Sequence, residues 1–463
     1  MYINYDILLN FLFKYKSFLQ KSKPFTLTKN TGGAILEILQ NLEVFMSTKV
    51  CVPIMGKTKA EVIEQAVKVA DMKPDMIEFR ADYLEKISKE NVLDVIQEIK
   101  KAVGNIEVIF TFRTKAEGGE CAIDDSDYEE LCIVAAENCD YVDVEIVGHL
   151  DIAKDVVTKI KKEGAKVIGS NHHFDKTPSD NEMIEIMKKM ENLGADICKI
   201  AVMPNDKSDV ERFMETSSKL SEIISVPIIT MSMGELGSVT RVCTDKTGSC
   251  VTFAAGVQAS APGQVDVHMA RKLLKVNEGC TLKGNIALIG FMGTGKTTIS
   301  KALSKITGFQ EIDVDEYIVK KAERSISDIF EKEGEDYFRN LETEALQEIS
   351  RESGKIISCG GGAVLRDENV EILKAGGVII LLTATPETIF DRVKDHTHRP
   401  ILNNDMSLGH VKELMEKREP RYQSVADVKI SVDANDRILT CYQIITILEE
   451  RGDITVTYHK EVD

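Results

Sequence analysis

Residues 196–205 read DICKIAVMPN, an apolar segment interrupted by a single charge at Lys199. Apart from that lysine, the segment is typical of a buried strand, and seven similar segments occur in the same half of the chain. Charged stretches of helical periodicity, such as KAEVIEQAVKVADM, separate them. Because strands that alternate with helices pair in parallel, eight such repeats predict a (β/α)8 barrel. The predicted strands are 49–55, 76–81, 108–113, 141–146, 166–171, 197–203, 227–233 and 249–254.

The charge on Lys199 needs an explanation, since an unpaired buried ammonium is unfavourable and tends to lose its proton. Lys199 either reaches solvent or an ion-pair partner, or it is a neutral amine. In (β/α)8 barrels the chemistry lies at the carboxyl ends of the strands, and polar residues collect there in this sequence. Any one of them could be structural, but a set converging on one mouth favours a catalytic site. They are Glu78, Arg80, Asp82, Arg113, Glu117, Asp143, Glu145, His172, His173, Arg241, Ser260 and Gln264.

This set suggests a specific chemistry. A desolvated lysine among cations can attack a ketone and form an iminium, which makes the neighbouring C–H acidic. A histidine oriented by a carboxylate such as Glu117 can take that proton. Arg241 can hold a substrate carboxylate through two parallel hydrogen bonds.

The barrel half resembles the type I 3-dehydroquinate dehydratases over essentially all of residues 49–275. The matching motifs are E-F-R at 78–80, F-R-x-x-x-E-G-G at 112–119, S-x-H-x-F at 170–174, K-I-A-V-M-P at 199–204 and S-A-P-G-Q at 260–264. The resemblance implies a Schiff base between Lys199 and the C3 ketone of 3-dehydroquinate, removal of the C2 proton by His172 and loss of the C1 hydroxyl as water. It also implies that Glu117 pairs with His172, that Glu78, Arg80 and Arg113 hold ring hydroxyls, and that Arg241, Ser260 and Gln264 surround the carboxylate.

One position departs from that family, which often has Asp where this chain has His173. Adjacent residues of a strand point to opposite faces, so only one of the two histidines can face the site. The aligned position favours His172.

A second motif begins at residue 285, where NIALIGFMGTGKTTISKAL places G-x-x-x-x-G-K-T between a buried strand and a helix start. Backbone N–H groups of such a loop wrap phosphate oxygens, the lysine reaches the β- and γ-phosphates, and the threonine suits Mg²⁺. The sequence therefore predicts an ATP site. The nucleotide-binding residues are expected to be Gly290, Gly293, Thr294, Gly295, Lys296, Thr297, Thr298, Arg392 and Arg399.

Together with the residues that follow it, this half resembles shikimate kinase over about residues 285–451. The resemblance implies a five-stranded parallel sheet with helices on both faces, Mg²⁺ supported by Thr297 and Asp313, and a closing lid that carries the catalytic Arg399. It implies that Asp315 contacts the attacking hydroxyl and that Arg392 flanks the adenine. The expected shikimate ligands are Asp315, Arg339, Gly361, Gly362 and Arg418, the last on the carboxylate.

Composition limits the partners. The 463 residues carry a formal net charge of −17, which argues against nucleic acid or an anionic membrane surface as the main partner. The ten cysteines show no metal-binding spacing, and this pattern is typical of the reduced thiols of a cytoplasmic protein. No apolar run approaches the length of a transmembrane helix.

The expected organisation is an N-terminal extension at 1–45, a barrel at 46–275, a linker at 276–284, a kinase domain at 285–451 and a tail at 452–463. The extension supplies no site residue, and we expect Met46 to be the true start. The resemblance leaves a homodimer through the barrel open.

The sequence predicts a bifunctional enzyme of aromatic amino-acid biosynthesis that needs a separate shikimate dehydrogenase, because no G-x-G-x-x-G dinucleotide motif follows a strand. One alternative is an aldolase-like Schiff-base barrel fused to another small-molecule kinase. Another is that one domain survives only as a binding module.

Overall fold

The computed structural model describes residues 48–394, 407–433 and 436–456. The predicted N-terminal extension, Arg399 and the last seven residues lie outside these ranges. The chain divides into two compact units at Val267/His268.

The first unit contains an eight-stranded sheet in the order β7-β6-β5-β4-β3-β2-β1-β8, and every strand pair in it is parallel. A bridge between Ile228 of β7 and Ser249, two residues ahead of β8, brings the sheet to near closure as a barrel. All eight predicted strands are therefore confirmed, and none of their ends differs from the prediction by more than two residues. They are β1 (Lys49–Ile54), β2 (Met76–Arg80), β3 (Glu107–Thr111), β4 (Tyr141–Glu145), β5 (Lys166–His173), β6 (Ile197–Val202), β7 (Ile228–Ser232) and β8 (Val251–Phe253).

Helices follow the strands, and their starts are explained by local sequence. Thr58 begins the first helix with a capping box, in which its hydroxyl accepts from the Glu61 N–H while Glu61 bonds back to the cap. The helices are α1 (Lys59–Asp71), α2 (Lys89–Val103), α3 (Asp125–Ala136), α4 (Leu150–Glu163), α5 (Asp180–Asn192), α6 (Lys207–Ile223), two short turns α7 (Gly234–Gly237) and α8 (Thr244–Thr247), and α9 (Val267–Glu278).

The barrel interior is apolar toward the amino ends of the strands and charged toward the carboxyl ends. Cys51, Met76, Ile109, Ile168 and Ile229 belong to one buried cluster inside it. The polar side chains of the site lie on the carboxyl-end side of this apolar cluster, and the cluster keeps water away from them on its side.

The second unit contains a five-stranded parallel sheet in the order β11-β12-β10-β13-β14, as predicted. The strands are β10 (Asn285–Ile289), β11 (Gln310–Asp313), β12 (Lys355–Ser358), β13 (Gly377–Thr383) and β14 (Val428–Ser431). The helices are α10 (Lys296–Thr307), α11 (Val314–Ala322), α12 (Ile326–Glu333), α13 (Glu335–Ile349), α14 (Asp367–Gly376), α15 (Pro386–Val393), α16 (Leu408–Val425) and α17 (Arg437–Glu450).

The segment expected to link the two domains is structured instead. Helix α9 runs through Glu278, and Lys272 forms an ion pair with Glu449 of α17 at 2.6 Å. Strand β9 (Cys280–Leu282) then pairs antiparallel with β15 (Ile454–Val456), which lies in the segment expected to be a tail. From His268 onward, α9 lies in the second unit together with β9 and β15.

None of the helices within the described ranges is long and apolar enough to cross a membrane.

Candidate active sites

Lys199 lies on β6 inside the barrel with 4% of its surface exposed. Its Nζ donates to Oδ2 of Asp143 at 2.9 Å and lies 3.8 Å from Oε1 of Glu78. The ring of Phe253 lies beneath the ammonium at 4.6 Å. The nearest charges are thus carboxylates, whereas the sequence reasoning placed the lysine among cations.

Arg113 joins three carboxylates at the centre of the site. Its guanidinium donates to Asp143 and to Glu145, each at 2.9 Å, and lies 3.6 Å from Glu117. Ser170 completes this network by donating to Asp143 at 2.5 Å. Although burial opposes ionisation of Asp143, Arg113 and Lys199 outweigh it and lower the pKa of Asp143 to about 2.

His172 forms the expected pair with Glu117, since its Nδ1 lies 2.9 Å from Oε2 of that carboxyl. Burial, followed by the positive charges of Arg113 and Lys199, lowers the pKa of His172 well below its usual range. Burial also raises the pKa of Glu117 to about 8, against the effect of Arg113. An imidazole that is uncharged at neutral pH is the form that can accept a proton.

The choice between the two adjacent histidines follows from this geometry. His172 contacts Glu117 within the barrel, whereas His173 is half-buried and its Nε2 has no hydrogen-bond partner in the part of the chain that the structure describes. The alternation of a strand accounts for the difference.

Like Arg113, the other two residues expected to hold ring hydroxyls already have intramolecular partners. Arg80 donates to both oxygens of Asp82, at 2.8 and 2.7 Å, and Glu78 accepts from Thr111 at 2.9 Å. Both side chains are buried and fixed in place, so each presents a defined edge to the barrel mouth.

Arg241 is 2% exposed and has no carboxylate partner among the described residues. Its guanidinium donates instead to the carbonyls of Phe253 at 3.3 Å and Pro262 at 3.2 Å, and its Nε has no hydrogen-bond partner within the described ranges. Burial lowers the pKa of Arg241 to about 10. A buried cation without an acid partner is suited to binding an anionic ligand.

The loop beside Arg241 is held by its own side chains. Gln264 accepts from the Ser260 N–H at 2.8 Å and donates to the Ser260 hydroxyl at 2.9 Å. Gly263 has φ +78°, and a Cβ there would lie 2.3 Å from the Gly234 carbonyl oxygen, so only glycine fits. Ser260 and Gln264 thus shape the loop that carries Pro262.

Replacement of Arg241 by methionine should reduce kcat/KM of the barrel reaction by about 10²-fold, mostly through KM, because two charge-assisted hydrogen bonds to the substrate are lost. Steady-state kinetics would measure this. Arg212→Met is the matched control, since Arg212 binds Asp180 and Asp209 on helices away from the barrel interior. A KM that stays unchanged in Arg241→Met would contradict the assignment.

Sequence reasoning left out several residues of this site. Asp143 and Glu145 were recognised as polar strand residues but given no role, although Asp143 is the direct partner of Lys199. Ser170 and Asn171 come directly before His172, and the alternation of β5 could have pointed to Ser170. Nothing in the sequence marked Phe253 as a site residue, since an aromatic residue on a strand usually belongs to the hydrophobic core.

The second unit contains a cavity of about 590 Å³ around the P-loop. Lys296 begins α10, and its Nζ donates to the carbonyls of Gly290 at 2.9 Å and Phe291 at 3.1 Å. Thr294 is buried and holds the turn through the Phe291 carbonyl at 2.8 Å. The predicted nucleotide residues that line the cavity are Gly293, Gly295, Lys296, Thr297, Thr298 and Arg392.

Thr297 and Asp313 stand where the sequence placed a magnesium site. The Thr297 hydroxyl donates to Oδ2 of Asp313 at 2.7 Å, and Ser358 donates to the same oxygen at 2.9 Å. Hard oxygen donors at the start of a P-loop helix fit Mg²⁺ bound together with a phosphate. The described ranges contain no cluster of three His, Cys, Asp or Glu that could hold a metal without such a ligand.

The other wall of the cavity carries the predicted acceptor residues. Arg339 donates to Glu342 at 2.9 Å and to Glu335 at 3.0 Å. A Cβ on Gly362 would lie 2.3 Å from the Arg339 guanidinium, so glycine permits the close approach of the two segments. The acceptor residues that line the cavity are Asp315, Arg339, Gly361, Gly362 and Arg418.

Arg418 has no carboxylate partner among the described residues. Its guanidinium lies 5.9 Å from the ring centre of Phe291 and near Tyr422, whose hydroxyl donates to the Gly361 carbonyl. Arg392 donates to the carbonyls of Val432 at 2.8 Å and Gly293 at 3.4 Å. The cavity lining thus includes the guanidinium groups of Arg392 and Arg418.

Fold and sites together define a class: a (β/α)8 barrel with a buried lysine, joined to a P-loop domain whose cavity holds phosphate-binding and acceptor residues. The type I 3-dehydroquinase model matches residues 50–280, and the shikimate kinase model matches residues 292–449. The chain belongs to the type I 3-dehydroquinate dehydratase family in its first half, and it fuses that family to a shikimate kinase.

Individual proteins are similar to each half. The 3-dehydroquinate dehydratase of Enterococcus faecalis is 37% identical over 234 residues, which span 50% of this chain and 92% of that protein. The enzyme of the same name from Clostridium kluyveri is 40% identical over 233 residues, which span 49% and 91%. A structure of shikimate kinase from Acinetobacter baumannii is 32% identical, covers 36% of this chain and 94% of that chain, and superposes with a TM-score of 0.35.

Proposed function

We propose that the barrel dehydrates 3-dehydroquinate to 3-dehydroshikimate and that the second domain phosphorylates shikimate with ATP. The observation that carries the first activity is the buried Lys199, placed in one network with the His172–Glu117 pair and facing the same interior as Arg241. An aldolase-like barrel is not favoured by the family matches. The observation that carries the second is the cavity shared by P-loop and acceptor residues.

In the dehydration, the Lys199 amine adds to the ketone carbon and water leaves, which forms an iminium. His172 takes the proton from the neighbouring carbon, and the resulting enamine expels the hydroxyl of the next carbon, which leaves as water with the proton that His172 returns. Hydrolysis of the iminium then returns the amine. Asp143 aims Lys199 and balances the positive charge of the iminium, and Arg241 holds the carboxylate of the substrate.

In the phosphorylation, the backbone at the start of α10 and Lys296 hold the phosphates of ATP, and Thr297 and Asp313 hold Mg²⁺. The bound nucleotide supplies the phosphoryl group. Asp315 accepts the proton of the attacking hydroxyl, while Arg339 and Arg418 fix the acceptor. Arg399 is proposed, from the resemblance alone, to close over the phosphates.

The assembly and location are proposals as well. The ten cysteines are thiols and not disulfides, which suits a reducing compartment such as the cytoplasm. A homodimer through the barrel and a separate shikimate dehydrogenase complete the proposal. Assays of the purified chain on 3-dehydroquinate, and separately on shikimate with ATP, test both activities.

Replacement of Lys296 by alanine should reduce kcat of phosphorylation by about 10²- to 10³-fold, because the transferring phosphates lose a direct cationic contact. Dehydration should stay at the wild-type rate. Coupled assays for ADP and absorbance assays for the conjugated enone would measure the two activities. Lys305→Ala, in the last turn of the same helix, is the control; equal kinase loss in both variants would argue against a phosphate contact.

A further inference from the structure

Asn171 lies between Ser170 and His172 at the end of β5, and its side chain is buried. Its Nδ2 donates to Oε1 of Glu117 at 3.0 Å. The other oxygen of that carboxyl, Oε2, contacts Nδ1 of His172 at 2.9 Å. One carboxyl therefore joins two adjacent residues of the strand.

The orientation of this amide is fixed by its surroundings. Turning it over would place Oδ1 against the carboxyl oxygen of Glu117 with no hydrogen between them. Oδ1 is buried and has no hydrogen-bond partner in the ranges that the structure describes. The amide thus makes one hydrogen bond there, and that bond is to the partner of the catalytic histidine.

Glu117 needs such a donor because of the groups that surround it. Arg113 lies 3.6 Å away, but its guanidinium makes closer bonds to Asp143 and Glu145, whose negative charges disfavour a third carboxylate. Burial and these acids raise the pKa of Glu117 to about 8. On the histidine side, the charged or titratable neighbours are Arg80, Arg113, His173 and Lys199.

We propose that Asn171 is a positioning residue of the dehydratase, which stabilises the ionised form of Glu117 and aims its second oxygen at Nδ1 of His172. The proposal rests on the proposed dehydration. An ionised Glu117 accepts the Nδ1–H of His172, which leaves Nε2 free as the base. A protonated Glu117 donates to Nδ1 instead, and Nε2 then carries a hydrogen and cannot accept one.

The test is the pH dependence of kcat/KM for dehydration in two variants. Asn171→Ala removes the donor, and Asn171→Asp keeps the shape but sets an acceptor against Glu117. Both changes make Glu117 harder to ionise. The acid limb of the profile should therefore move to higher pH, by about one unit in Asn171→Ala and further in Asn171→Asp.

Two controls separate this role from a structural one. Asn138→Ala removes a side-chain amide that donates to the Val134 carbonyl at the end of α3, and its profile should keep the wild-type limb. The kinase activity of each variant measures the concentration of intact chain. Thermal unfolding shows whether Asn171→Ala folds. If that variant does not fold, the pH profile of Asn171→Asp, whose side chain has the same shape as asparagine, decides the test.

An acid limb that stays in place, with kcat/KM lowered equally at every pH, would show that Asn171 only packs, and would overturn the inference. In that case the wild-type chain still dehydrates 3-dehydroquinate and the proposed function stands. A wild-type chain without dehydratase activity would overturn both.

Discussion

Replacement of Lys199 by alanine is expected to abolish dehydration, with a fall in kcat of at least about 10⁴-fold, and to leave phosphorylation unchanged. Removal of the nucleophile removes the covalent route itself, and removing one member of a catalytic group of this kind costs about as much as removing all of them. The kinase should be unaffected because Lys199 lies in the first unit and every kinase residue named above lies in the second.

Chemical trapping identifies the bond directly. Borohydride added with 3-dehydroquinate should reduce the iminium and leave a stable mass increase on the peptide that carries Lys199. Lys166→Ala is the matched control, because Lys166 begins β5 at the opposite end of the barrel, where its Nζ lies near the Tyr141 ring. Inactivation without an adduct on the Lys199 peptide would rule out the Schiff base.

The two activities should not operate in sequence on their own. Supplied with 3-dehydroquinate, ATP and Mg²⁺, the chain is expected to accumulate 3-dehydroshikimate and to form no shikimate 3-phosphate. Dehydration leaves a ketone at C3, whereas the kinase needs a hydroxyl there as nucleophile. A reduction must come between the two steps, and the sequence has no dinucleotide motif to perform it.

Liquid chromatography with mass detection would follow the three compounds over time. NADPH alone should change nothing, while NADPH with an added shikimate dehydrogenase should restore flux to shikimate 3-phosphate. Phosphorylated product with NADPH alone, in a preparation free of contaminating reductase, would reveal a reductase site that neither sequence nor structure has indicated.

The sequence predicted the elements well because both halves show regular alternation of apolar strands and amphipathic helices. It also pointed to residues whose chemistry has few structural uses, such as Lys199 inside a strand and Lys296 in a P-loop, and their roles stay predictions. The pairing of His172 with Glu117 came from the family resemblance, and the structure places the two 2.9 Å apart.

The sequence could not show which side chains contact each residue of the site. Whether a buried lysine faces cations or carboxylates depends on which strands are neighbours and in which register. In β5 and β6, Ser170 is level with Lys199, and in β4 and β5, Glu145 is level with Ser170. The pairing of β9 is equally hidden in the sequence, because its partner strand lies more than 170 residues further along the chain.

The antiparallel pairing of β9 with β15 bears on how the fusion of the two domains arose and on how the domains can be separated. Ile454 and Val456 are buried, and their strand pairs with Leu282 and Cys280, ahead of the first P-loop strand. A kinase cut out at Asn285 would keep Ile454–Val456 with an open, apolar edge, which favours aggregation. A recombination breakpoint that yields a well-behaved free kinase must therefore lie before Cys280, upstream of the P-loop motif.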